Sequence, residues 1–132
     1  MYAGDYERAV ELLQDANLPQ ARYNLGLIKA KQRRLNEAYD LLRPYADVNA
    51  AVVALSVNRN DEARDIMDSV KTATPVAEYV RAMVAARFKE HDAFFLHVPK
   101  ACEDEKLRMR AVDEPDFYGY KDDERFRAVI NR

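Results

Sequence analysis

Between Ala21 and Lys31 the apolar residues fall on two stripes, Ala21/Leu25/Ile28 and Tyr23/Leu27/Ala30. A helix with that pattern is covered on more than one side, so it must sit between neighbours. The chain on either side supplies them. Tyr6, Ala9, Val10 and Leu13 make a single stripe ending near Gln14, and Asp15 to Pro19 reads as a turn. Leu35, Ala38, Tyr39, Leu42 and Tyr45 make another stripe, which Pro44 closes because proline is tolerated at a helix end but not in its middle.

The same reading continues to the end of the chain. Asn49 to Ser56 predicts a short helix, Asn58-Arg59-Asn60 a turn with side chains suited to capping, and Ala63, Ile66, Met67 and Val70 the face of the next helix. Thr74-Pro75 predicts a start, since threonine accepts from orphan amides and proline at the first helical position loses no hydrogen bond. The helix it opens runs to about Phe88, and its alanines, Ala77, Ala82, Ala85 and Ala86, let another helix approach closely. Ala93 to Cys102 follows, with Pro99 expected to kink that helix or end it early. A short helix around Glu103 to Val112, a stop at Glu114-Pro115 and a closing helix from Lys121 to Asn131 complete an all-α chain of about nine helices. No alternating run of strand length appears.

Length and charge narrow the function classes. At 132 residues the chain fits one domain able to bury a core without metal or disulfide staples. Its 21 basic and 23 acidic residues are interspersed, which leaves no field suited to nucleic acid. No apolar run approaches the roughly 20 residues that cross a bilayer, and MYAGDYERAV lacks the basic start and apolar stretch of a signal peptide, so direct membrane insertion is not expected.

An isolated pair of amphipathic helices cannot bury its apolar faces, whereas a stack of such pairs can, so internal repetition is the feature to seek. Ala21 to Tyr45, ARYNLGLIKAKQRRLNEAYDLLRPY, resembles a tetratricopeptide repeat: Leu25-Gly26 matches its leucine and glycine, Ala38 the small residue of its second helix, and Leu42 the large apolar one a turn later. YAGDYERAVELL resembles the second helix of a preceding repeat, with Ala9 in the small position, and NAAVVALSVNRNDEARDIM a shortened repeat with Ala63 there. VAEYVRAMVAARFKEHDAFFLHV resembles a further repeat whose second helix departs from the pattern, and PDFYGYKDDERFRAVI the tail that ends such arrays. The resemblance implies one repeat domain over 1–132, a right-handed stack of antiparallel helix pairs. It divides into a truncated repeat (1–16), the best-matching one (20–45), a short one (48–70), a degenerate one (75–102) and capping helices (103–132). The spacing from Ala9 to Ala38 to Ala63 is below the usual period of about 34 residues.

The resemblance also implies a non-enzymatic scaffold that binds a protein or peptide, without cofactor, along the face formed by each repeat's first helix. That face would carry Tyr23, Leu27 and Lys31 from one repeat and Tyr79, Met83 and Arg87 from another, a combination suited to a carboxylate-bearing ligand with some apolar content; the alternative is that both stripes are partly buried between helices. A narrower likeness, to repeat regions of Gram-negative cell-envelope proteins, implies a periplasmic or envelope location and the alternative role of a structural spacer without a groove. His91, His97 and Cys102 fall short of a metal set, because Pro99 intervenes and no fourth ligand is evident. Cys102 as a nucleophile lacks an adjacent base, and Glu103, Asp104 and Glu105 are expected to raise its pKa, which favours a structural buried thiol. Asp113, Glu114 and Asp116 flank Pro115 in what reads as a loop without a cleft, and Lys31, Arg33 and Arg34 read as solvation of a turn.

Overall fold

The computed structural model describes the backbone of residues 19–132 and the side chains of residues 21–132. The predicted helix over 1–16 and Ala9 lie outside them. The described residues form eight α-helices and two 3-10 segments, with no strand: α1 (Pro19–Lys31), α2 (Leu35–Leu42), a 3-10 turn (Arg43–Tyr45), α3 (Val48–Ser56), α4 (Asn60–Ser69), α5 (Pro75–Arg87), α6 (His91–Ala101), α7 (Glu105–Val112), a 3-10 segment (Pro115–Tyr120) and α8 (Glu124–Ile130). The fold class is all-α. The chain divides into two compact units, Met1–Ile66 and Met67–Arg132.

The starts and stops follow local chemistry. Asp47 caps α3 by accepting from the Ala50 amide at 2.9 Å, and Thr74 caps α5 by accepting from the Ala77 amide at 3.2 Å with Pro75 at the first helical position. Asp104 and Asp123 cap α7 and α8 in the same manner. Two expectations are corrected. Pro99 does not end α6, which continues to Ala101; so near the C-terminus the missing amide removes only one of the last helical hydrogen bonds. Glu114-Pro115 stops α7 but then opens a 3-10 segment instead of a plain loop.

The pairs α1/α2, α3/α4 and α5/α6 share one turn. Arg33, Asn58 and Lys89 each adopt a left-handed backbone, with φ of 63°, 61° and 56°. In each turn the following amide bonds back to the carbonyl five residues earlier: Arg34 to Lys29 at 2.9 Å, Arg59 to Ala54 at 2.8 Å and Glu90 to Ala85 at 2.9 Å. This is the six-to-one closure that satisfies orphan carbonyls at a helix end. In all three pairs the first helix ends two residues before the left-handed residue and the second begins two residues after it.

Counting from that residue aligns the pairs. Seven positions earlier stand Gly26, Ala51 and Ala82, all buried; nine positions later stand Leu42, Met67 and Val98, all large, apolar and buried. Five positions later stand Ala38 and Ala63, both 0% exposed, but Phe94 in the third pair, also 0% exposed. Within the first unit the close approach is direct: a Cβ built on Gly26 would lie 2.7 Å from Leu42 Cδ2 and 3.2 Å from Leu41 Cβ. In the second unit Phe94 stacks on Tyr120 with ring centroids 3.8 Å apart, and Phe117 and Phe126 stand 5.1 and 6.0 Å from it. The closing segment thus supplies the aromatic core around the one pair that lacks the small residue.

Candidate functional site

The six side chains expected on a ligand-facing surface have separate fates. In the first unit Tyr23 is half-buried, its hydroxyl donates to Asp47 Oδ2 at 2.6 Å, and Asn49 Nδ2 donates to that hydroxyl at 2.8 Å. Its ring meets Tyr45 edge-on at 4.8 Å. Burial, with the Asp47 carboxylate next in order, pushes the Tyr23 hydroxyl above its ordinary pKa. Asp47 also caps α3 through its other oxygen, so Tyr23 ties α1 to the start of that helix. Leu27 is half-buried and Lys31 is exposed.

In the second unit Tyr79 is 4% exposed, packs on Phe117 at 5.2 Å and donates to Glu114 Oε1 at 3.1 Å. Burial first, then Glu114, raises its pKa far above the ordinary tyrosine value. Met83 packs partly buried against the same core, and Arg87 pairs with Asp116 at 3.1 Å. Tyr79 is therefore a core residue. Leu27 and Lys31 make no side-chain hydrogen bond, ion pair or ring contact with the described residues.

Glu78, Arg81 and His97 form a cluster that sequence reading did not find. Glu78 is 4% exposed; its Oε1 accepts from Arg81 at 3.1 Å and its Oε2 lies 2.6 Å from His97 Nδ1. Arg81 also donates to the carbonyls of Val70 and Thr72 at 2.8 and 2.7 Å, fastening the segment before α5. A buried carboxylate needs such partners, because an uncompensated charge in the interior is costly. The Glu78 and Arg81 spacing was visible in the sequence as a helical i, i+3 pair. The His97 partnership was not, since it joins α5 to α6 across 19 residues.

The remaining candidates have structural roles. His91 Nδ1 lies 2.6 Å from the Tyr120 hydroxyl, and Cys102 is 0% exposed. Burial holds the Cys102 thiol above its ordinary pKa while Arg132 and Arg108 pull the other way. That replaces the expected cause, the acids Glu103 to Glu105, all of which are exposed. Glu114 serves Tyr79, Asp116 serves Arg87, and the exposed Asp113 lends its backbone carbonyl to the Tyr118 hydroxyl at 3.4 Å. Arg33 and Arg34 are exposed at the α1/α2 turn. Among the described residues no group of three or more His, Cys, Asp or Glu is arranged to hold a metal ion, and no helix is long and apolar enough to cross a membrane.

These features define an all-α protein of paired helices with a repeated internal register. Comparison with protein-family models, with curated proteins and with solved structures returns no match.

Proposed function

We propose that the chain is a non-enzymatic interaction module built from tetratricopeptide-like helix pairs, which binds a peptide or protein segment on the outer face of α1. The observation that carries this reading is the register common to three pairs, with Gly26, Ala51 and Ala82 at one buried position and Leu42, Met67 and Val98 at another. Such a packing code belongs to repeat architectures whose surfaces serve recognition more often than chemistry. On α1 the half-buried Leu27 and the exposed Lys31 stand a turn apart, one apolar and one cationic, which suits an acidic segment with an apolar anchor.

The test is affinity capture from an extract with the native chain and with a Leu27→Ala, Lys31→Glu double variant of unchanged helical circular dichroism. The reading expects one or more proteins captured by the native chain to be lost with the variant. Identical capture by both would sink it. A structural spacer within a larger cell-envelope protein is the second reading, favoured by the internal engagement of Tyr23, Tyr79 and Arg87. It expects identical capture.

A further inference from the structure

We draw no further inference here: the strongest candidate, the exposed apolar side chains of Met109 and Val112 on α7 and of Tyr118 just after it, lies among exposed charges of both signs, Glu105, Lys106, Arg110 and Asp113, and nothing in the structure shows what covers it.

Discussion

A methyl group on Gly26 would meet Leu42, which is 0% exposed, at Cδ2 and Cγ distances of 2.7 and 2.8 Å. Two effects oppose each other in Gly26→Ala. Helix propensity favours alanine by about 1 kcal/mol, while overpacking a filled core costs about 1–3 kcal/mol. Because Leu41 Cβ at 3.2 Å blocks a second direction, overpacking should win. The variant is expected to be less stable by about 1 kcal/mol, read as a lower midpoint in urea; a raised midpoint would show that the helices can separate without loss. This glycine was legible in the sequence because its neighbours Leu25, Ala38 and Leu42 followed a recognisable order. For Tyr79 the sequence left a ligand-facing and a buried placement both open, for the opposite reason. Its spacing with Met83 and Arg87 is the same whether the stripe faces solvent or a neighbouring segment, and Phe117, which covers it, lies far along the chain.

Helix by helix, most boundaries could be read because start signals are local chemistry: Thr74 with Pro75 acts within three residues. The shared bend was harder to see. Only Asn58 is a residue type that favours the left-handed region, whereas Arg33 and Lys89 adopt it through the hydrogen bonds closed around them. The fastening of α5 was equally hidden, because the Glu78, Arg81 and His97 cluster spans α5, α6 and two backbone carbonyls. Glu78→Ala leaves the Arg81 guanidinium, 16% exposed, without its carboxylate. A loss of about 3–5 kcal/mol is expected, with faster amide exchange at residues 70 to 74 as the local readout. Unchanged exchange there would mean that the two carbonyl contacts hold the segment unaided.

For the molecule as a whole, burial pushes the phenols of Tyr23, Tyr79 and Tyr120 up, Tyr79 most of all. A raised folded-state pKa means that the native chain keeps protons which the unfolded chain gives up. The stabilisation is complete below the ordinary tyrosine value of 10.0 and is lost as pH climbs past it. The melting temperature should therefore fall steeply between about pH 9.5 and 11, and Tyr79→Phe should flatten that fall while lowering stability at neutral pH. An equally steep alkaline fall in the variant would assign it to other groups. The all-α class was legible from composition and periodicity, but the aromatic cluster of the second unit was not. Phe94, Phe117, Tyr120 and Phe126 come from three elements, and only the fold gathers them.

The left-handed bends also work as a ruler. Twenty-five residues separate Arg33 from Asn58 and 31 separate Asn58 from Lys89, yet the buried positions hold their offsets from each bend. The difference in spacing falls at the open ends of the hairpins, where α1 and α5 have 13 residues and α3 has 9. A period counted from hairpin to hairpin therefore looks irregular in a chain whose closed ends bond alike, and the bend is the point from which the buried positions keep their distance.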